Sequence, residues 1–315
     1  MSVKSLLVER LREIIILVKA ILRLRITPRL SHIALKIKAT QSPKSLQQKI
    51  LYKMAFDRNP MLSIYADKVK VREFIREKVS EKYLTTSYGN FRQLEEVDRN
   101  KLPKNFVLKA NHGSGGAVIC WEGIERGSQL PKQLNLPDWE TYLLNPADLN
   151  WDDLATLTKQ WLNQSYYWNL GRLPEWAYRE VEPRFLIEEV LTHKDEIPAD
   201  YRFFMFNGVC KFIHVDQSRF TGKTRNFFSP EWVPLDVYCA FPPSKKDISC
   251  PPHLDEMLEV AHKISDGSDF MRVDLYDCDQ GVKFGEITNY PGAGQRAFTP
   301  RSFSRRMADE WIQSY

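Results

Sequence analysis

Asn207-Gly208 separates two runs rich in apolar residues, Tyr201-Arg-Phe-Phe-Met-Phe206 and Val209-Cys-Lys-Phe-Ile-His-Val215. An Asn-Gly pair supplies the positive φ angles of a tight two-residue turn whose twist matches that of the flanking strands, so these runs are expected to form a β-hairpin. Pairing outward from the turn sets Phe206 opposite Val209, Phe204 opposite Lys211 and Arg202 opposite Ile213. Arg202 and Lys211 then share one face. A second hairpin is expected from Phe270-Met-Arg-Val-Asp-Leu-Tyr276 and Val282-Lys-Phe-Gly-Glu-Ile-Thr288. With its turn centred near Asp279, Arg272 pairs with Glu286 and Asp274 with Phe284, all on the same side.

The remaining periodicities surround these hairpins with helices and further strands. Residues 44–82 read as helices, carried by Leu46, Ile50 and Met54 and then by Val71, Phe74, Ile75 and Val79, with Asp67-Lys68-Val69-Lys70 leading into the second group. Residues 106–110 and 117–121 read as strands flanking the loop Asn111-His-Gly-Ser-Gly-Gly116. A helix is expected near 152–164, a strand over 184–191 and an amphipathic helix over 254–264. No internal repeat is present, which sets aside solenoids and propellers. At 315 residues, 43% apolar and 27% charged, the chain is an ordered globular protein of one large domain or two modest ones. Its five cysteines are odd in number, scattered and without a C-x-x-C pair, which argues against a disulfide framework or zinc ribbon and suits a reducing cytoplasm.

Charge is concentrated at the N-terminus. Nine Lys or Arg against Glu9 and Glu13 give residues 1–40 a net +7; since the whole chain carries +5, the other 275 residues sum to −2. A near-neutral body does not carry a general nucleic-acid footprint. Within the basic segment Leu7, Leu11, Ile14, Val18, Ile21 and Leu22 recur at helical spacing, with Arg10, Arg12, Lys19, Arg23 and Arg25 between them. A basic amphipathic helix is expected, ending at Pro28. Its longest apolar run, Ile14 to Val18, is far short of the roughly 20 residues that span a bilayer. The early Glu9 and Glu13, with no small-residue cleavage site after them, disfavour a signal peptide. Such a helix either lies on an anionic membrane surface or packs on the body or another subunit. Both readings stand.

Four segments carry candidate chemistry. In Asn111–Gly116, three glycines in four residues let backbone N–H groups turn toward an anion as a phosphate nest, with Lys109 adding a point charge. The alternative is a flexible hairpin loop. No Gly-Lys-Ser/Thr follows, so the loop is not a P-loop, and without a G-x-S-x-G elbow its likeness to an esterase oxyanion loop leads nowhere. In Arg272-x-Asp274 and Glu286-Ile-Thr-Asn289, two carboxylates on facing strands and an amide just beyond supply the all-oxygen ligands that Mg2+ takes alongside phosphates. Arg272 could hold a transferring phosphoryl group through its planar fork. A surface ion-pair ladder is the alternative, disfavoured because these acids sit in apolar strands. The paired acids of Leu186-Ile-Glu188-Glu189-Val190-Leu191 read equally well as solvated groups at a strand edge. Asp277-Cys-Asp279 matches the Asp-x-Asp metal motif of nucleotide-sugar transferases, and beside Gln280-Gly281 it is more simply a turn.

Taken in order across residues 60–295, these pieces resemble the ATP-grasp superfamily. Asp67-Lys68, Lys109-Ala-Asn-His-Gly-Ser-Gly-Gly116, the aromatic stretch at 161–168, Ile187-Glu-Glu189, Asp200-Tyr-Arg202, Arg225-Asn-Phe227 and Phe284-Gly-Glu-Ile-Thr-Asn-Tyr-Pro-Gly292 are similar to its teichuronopeptide-biosynthesis, or TupA-like, branch, associated with cell-surface polymer genes. The resemblance implies an α+β ATP-grasp fold over residues 41–315, with a small lid subdomain at about 86–190 and a C-terminal subdomain at about 191–315 clasping ATP. It implies that Lys68 and Lys109 contact the phosphates and that His112, Gly113, Ser114, Gly115 and Gly116 close over them. Glu188, Glu189 and Leu191 would face the adenine. Asp274, Glu286 and Asn289 would hold Mg2+, Arg272 would stand at the reacting phosphate, and Arg202 and Lys211 would face the phosphates or an acidic substrate. The ribose-binding acid is not identifiable, Asp195 and Glu196 being equal candidates.

The activity implied is ATP-dependent ligation of a carboxylate to an amine through an acyl phosphate, on a surface-polysaccharide or polypeptide precursor, in the cytoplasm and beside the membrane if the N-terminal helix binds there. Three rival readings are a nucleotide-sugar glycosyltransferase using Asp277 and Asp279, an ATP-grasp phosphotransferase acting on a non-carboxylate acceptor, and a degenerate scaffold recruited by the basic helix.

Overall fold

Alternate residues along the central strands are buried against different helices, which explains why the sequence there is apolar almost without interruption. The computed structural model describes residues 35, 38–39, 42–133, 139–168, 173–217, 222–313 and 315. In it β6 (Asp200–Phe206), β7 (Val209–Gln217), β8 (Thr224–Phe228), β9 (Pro234–Leu235), β10 (Phe270–Cys278) and β11 (Gly281–Thr288) form an antiparallel sheet of order β11-β10-β6-β7-β8-β9. On one face Phe203, Met205, Ile213, Met271 and Val273 pack with Met257, Val260 and Ile264 of α5 (Leu254–Ser265) and with Val71 and Ile75 of α3 (Val71–Lys78). On the other, Phe204, Phe206, Phe212 and Phe270 pack with Leu46, Ile50 and Met54 of α1 (Leu46–Phe56), Phe303 of α6 (Arg301–Asp309) and Trp311. Each phenylalanine so buried contributes about 1.5–3 kcal/mol, which favours a single register over its one-residue slips.

A second, five-stranded sheet lies earlier in the chain. It has the order β1-β5-β2-β3-β4, from β1 (Ser87–Phe91), β2 (Phe106–Ala110), β3 (Ala117–Cys120), β4 (Thr141–Leu144) and β5 (Phe185–Glu188), with only β3 and β4 parallel. Helix α4 (Trp151–Leu162) covers it through Leu154, Leu157 and Trp161; its first turn is capped by the Asn150 side chain, which accepts from the N–H groups of Asp152 and Asp153. The chain is thus α+β. The helical stretch expected over 44–82 is three helices. The short α2 (Met61–Ala66) follows Pro60, and an Asp67 carboxylate that accepts from the Val69 N–H makes the turn presenting Lys68 before α3. Strands β1, β4, β8 and β9 fall where the sequence pattern marks none.

Both hairpins form, and both registers differ from those expected. Between Phe204 and Met205 the ladder slips, because Phe204 faces Phe212 and Met205 faces Cys210. Lys211 is the extra residue of a β-bulge, so Arg202 pairs with His214 rather than Ile213. The second turn is the pair Asp279-Gln280, half a residue beyond the expected centre, and Gly285 is the extra residue of a second bulge. Arg272 therefore faces Thr288, and Asp274 faces Glu286. A Cβ at position 285 would stand 2.8 Å from the Tyr276 ring and 3.2 Å from the Asp274 carbonyl oxygen, which accounts for glycine there.

The basic N-terminal helix, expected to end at Pro28, lies outside the described residues. Leu35 and Ala39 are buried in the cluster that contains Leu46 and Ile50. No described helix is long and apolar enough to cross a membrane.

Candidate active site

The turn at Asp67, the ends of β2 and β5, the start of β6 and the middle of β10 and β11 meet at one cleft of about 1050 Å3, counted to its open mouth. Lys68, Lys109 and Arg202 line it, faced by Glu188, Glu189, Asp200, Asp274 and Glu286. Val107, Ile119, Leu191, Ile197 and Phe284 supply an apolar part. Of the residues expected at the site, the structure thus brings Lys68, Lys109, Gly115, Glu188, Glu189, Leu191, Arg202, Asp274 and Glu286 to a common cavity.

The buried Asn111 ties the start of the glycine loop to the Asp67 turn and to the chain before β5. Its amide donates to Asp67 Oδ1 at 2.9 Å and to the Glu182 carbonyl at 3.0 Å, while its oxygen accepts from the Arg184 N–H at 2.7 Å. Three segments distant in sequence are fixed by one side chain, and Lys68, held by this turn, donates to the Gly113 carbonyl. Burial lowers the Lys68 pKa, with Glu286 opposing that fall and Lys109 adding to it. Deeper in, the buried Glu188 binds Lys109, Arg72 and the Thr85 hydroxyl. Burial pushes its pKa up, but the two cations outweigh it and hold the carboxyl below the usual range. Glu188 is therefore an anchoring carboxylate rather than a solvated edge group. Its partners Arg72 and Thr85 escape sequence reading because neither lies in a recognisable motif.

The glycine loop owes its composition to Trp139. A Cβ on Gly113 would come within 2.5 Å of the Trp139 ring, and one on Gly115, whose φ is +90°, within 1.8 Å of the Trp139 carbonyl oxygen. The N–H groups of Gly113, Ser114 and Gly115 have no acceptor among the described residues. His112 points away from the cleft, edge-on to Trp139, with Nε2 3.1 Å from the Trp161 carbonyl and Nδ1 3.2 Å from Asn111 Oδ1. Burial lowers its pKa to about 4, so the ring is neutral and structural.

Arg272, which is not among the residues lining this cleft, grips Asp274 with two bonds of 2.6 Å and reaches Glu286 Oε1 at 3.1 Å. Arg202 contacts Asp200, Asp216 and Asp274 at 2.9, 3.3 and 3.4 Å. Burial raises the Asp274 pKa to about 6 against the pull of Arg272 and then Arg202, with Glu286 adding to the rise. Asn289 donates to the Leu62 carbonyl at 2.8 Å, and its buried Oδ1 has no partner among the described residues. Two carboxylates and an orphaned amide oxygen fit a hard cation whose shell phosphate oxygens complete. Among the described residues no group of three His, Cys, Asp or Glu side chains could hold a metal alone.

Other expectations are not met. Lys211, displaced by its bulge, pairs with Glu310 at 2.7 Å and is not among the cleft residues. Asp277 and Asp279 are engaged separately, Asp277 with His253 at 2.8 Å and Asp279 with the Thr192 hydroxyl at 3.1 Å, which leaves no paired Asp-x-Asp site. Asp195 and Glu196 are both exposed in a loop and do not line the cleft. One centre is marked in the sequence by Arg225 alone: buried Asp216 binds Arg225 through two bonds of 2.7 and 2.9 Å, Lys223 at 2.8 Å and His214 at 2.6 Å. These contacts, with that of Arg202, hold its carboxyl far below the usual range despite burial.

A family model described as TupA-like ATPgrasp matches residues 44–312. The chain belongs to the TupA-like ATP-grasp family. Similar solved structures include D-alanine–D-alanine ligase from Bacillus anthracis complexed with ATP, at 16% identity over 74% of this chain and 56% of that one, with a TM-score of 0.39. The ATP-grasp ligase PsnB complexed with minimal precursor matches at 13% identity over 73% and 55%, TM-score 0.38. N5-carboxyaminoimidazole synthetase from Staphylococcus aureus complexed with ADP matches at 10% over 72% and 44%, TM-score 0.37. This ATP-grasp chain therefore spans 44–56% of the length of these three structures. The comparison with curated proteins found no match.

Proposed function

We propose that the chain is an ATP-dependent carboxylate–amine ligase. The observation that carries this reading is the convergence of Lys68, Lys109 and Arg202 with Asp274 and Glu286 in one cleft, in a chain of the ATP-grasp family. Val107, Ile119, Leu191 and Phe284 would receive the adenine. Lys68, Lys109 and the free N–H groups of Gly113, Ser114 and Gly115 would bind the phosphates, with the unit at about 86–190 acting as the lid. Asp274, Glu286 and Asn289 would hold Mg2+, which offsets phosphate charge when bound.

A carboxylate is a poor electrophile, and phosphorylation gives it a leaving group. Its oxygen attacks the γ-phosphorus and the bond to the ADP oxygen breaks, so an acyl phosphate forms. Arg272 and Arg202 would balance the charge that develops on the moving phosphoryl group, held by their carboxylate partners so that little reorganisation is needed. The amine nitrogen then attacks the acyl carbon, gives up a proton, and inorganic phosphate departs. Because water competes for the acyl phosphate, closure of the glycine loop would protect it.

The test is product analysis with purified full-length protein, ATP, Mg2+ and a panel of acids and amines. Acid-dependent release of ADP and phosphate supports the ligase. AMP would indicate adenylation instead, and transfer of phosphate to a hydroxyl acceptor would indicate a phosphotransferase.

A further inference from the structure

Asp279 stands in the turn between β10 and β11, the strands that carry Asp274 and Glu286. From that turn it clasps a segment far earlier in the chain. Its N–H donates to the Thr192 carbonyl at 2.8 Å, and its carboxylate accepts from the Thr192 hydroxyl at 3.1 Å and from the Lys194 N–H at 3.2 Å. Thr192 and Lys194 belong to residues 189–199, which link β5 of the five-stranded sheet to β6 of the six-stranded one. Glu189, Val190, Leu191, Ile197 and Pro198 of this linker line the cleft, before and after the clasped tip.

The tip is held by little else. Across Lys194 and Asp195, His193 and Glu196 exchange N–H···O bonds of 2.8 and 3.1 Å. Lys194 and Asp195 have φ angles of 53° and 59°, in the left-handed region that costs an L side chain energy, so the reversal needs support from outside it. Among the described residues, no other hydrogen bond ties residues 190–198 to another element. Through Asp279, the hairpin that carries Asp274 and Glu286 therefore also fixes the part of the cleft formed by Leu191, Ile197 and Pro198. The second acid of Asp277-Cys-Asp279 thus has a use that the motif does not suggest.

Building on the reading of this cleft as the ATP site, we propose that Asp279 is a positioning residue for the nucleoside: it holds the 189–199 linker as the wall on which the base rests. Lys68, Lys109 and the glycine loop bind the phosphates without its help. Because the clasp and the two carboxylates share one hairpin, the wall and the cation site keep a fixed separation, and the nucleoside is seated with its phosphates in register with Asp274 and Glu286. Asp279 is about half exposed, so its replacement should change stability little while freeing the linker.

Titration calorimetry of the full chain with Mg2+ compares ATP with tripolyphosphate, which offers the phosphates without the nucleoside. Asp279→Ala should weaken ATP binding about ten-fold, the worth of one hydrogen bond to a charged acceptor, and leave tripolyphosphate binding as it was. Asp279→Asn keeps an oxygen acceptor for Thr192 and Lys194 and should recover most of the loss. Thr192→Val lacks only the hydroxyl and should weaken ATP about three-fold. The urea midpoint is the folding control, and if Asp279→Ala fails to fold, Thr192→Val decides by the same contrast. Unchanged ATP affinity in the variant overturns the proposal, as does a parent protein that binds no ATP. An equal loss for ATP and tripolyphosphate also overturns it, since general loosening would act on both ligands. Acid-dependent ADP release alongside unchanged ATP affinity in Asp279→Ala removes the clasp and leaves the ligase. Selective loss of ATP binding, in a protein that releases no ADP with any acid and amine, leaves the clasp standing and removes the ligase reading instead.

Discussion

Asp274 and Glu286 are register partners on adjacent strands, and one arginine, Arg272, binds both. The two acids differ in what their loss should do. Asp274 is buried and engages both Arg272 and Arg202, whereas Glu286 is about a third exposed. Removing a buried partner leaves uncompensated charge, so Asp274→Ala should cost about 3–5 kcal/mol of stability, read in urea unfolding. Glu286→Gln should leave the urea midpoint nearly unchanged while lowering ATP turnover on the order of 100-fold or more. Full turnover in a folded Glu286→Gln variant would mean that the pair is an ion-pair ladder and no more.

The glycine loop makes a sharper test of geometry. Gly115→Ala must move either the loop or Trp139, because the added Cβ would fall 1.8 Å from a backbone oxygen at a φ of +90°. Gly127 also has a positive φ, +100°, with nothing within 4 Å of the added atom. Gly127→Ala should cost about 1 kcal/mol from backbone strain, and Gly115→Ala clearly more, with a weaker Tm response to ATP. Equal melting temperatures for the two variants would show that Trp139 does not constrain the loop.

Much of the cleft wall around Arg202, Asp274 and Glu286 could be read from the sequence, because it sits on two hairpins whose turns are written locally as Asn207-Gly208 and Asp279-Gln280. The registers could not. The Lys211 bulge falls where both faces of the sheet are apolar, so the slip leaves no break in the hydrophobic pattern, whereas Gly285 inside a strand run is itself a sign of a bulge, one that does not tell its effect on register. Lys211 was accordingly expected beside Arg202 and instead meets Glu310. The glycines of 113–116 announce a close backbone approach, but not that Trp139 is what approaches. Asp216, Arg225 and Lys223 come together across β7 and β8, a pairing that no motif encodes.

His112 gives a pH dependence with a definite sign. Its folded pKa, about 4, lies below the unfolded value of about 6.5, so the unfolded chain binds the proton first. Stability is therefore intact above about pH 6.5 and falls as pH drops toward 4. Between pH 7 and pH 5 this one ring should remove about 2 kcal/mol. His112→Gln retains an N–H donor for the Trp161 carbonyl and does not titrate, so its unfolding free energy should change less by that amount over the same interval. An unchanged pH slope in the variant would mean that folding leaves the His112 pKa where it stands in the unfolded chain.

The last prediction concerns the basic segment at the N-terminus, whose apolar stripe and net +7 fit an anionic membrane surface. Each basic residue near such a surface contributes roughly 1 kcal/mol, diminished by salt, so several together would hold the protein reversibly. The cut that tests this must fall before Leu35, because Leu35 and Ala39 are buried against Leu46 and Ile50 and their removal would open the core. Deleting residues 1–34 should abolish salt-sensitive sedimentation with phosphatidylserine vesicles while the Tm rise with ATP and Mg2+ persists. If the full chain fails to sediment with these vesicles at 20 mM salt, the stripe covers protein rather than lipid. A truncated chain that no longer melts cooperatively would lead to the same conclusion by a different route, since it would show that the body depends on those 34 residues for packing.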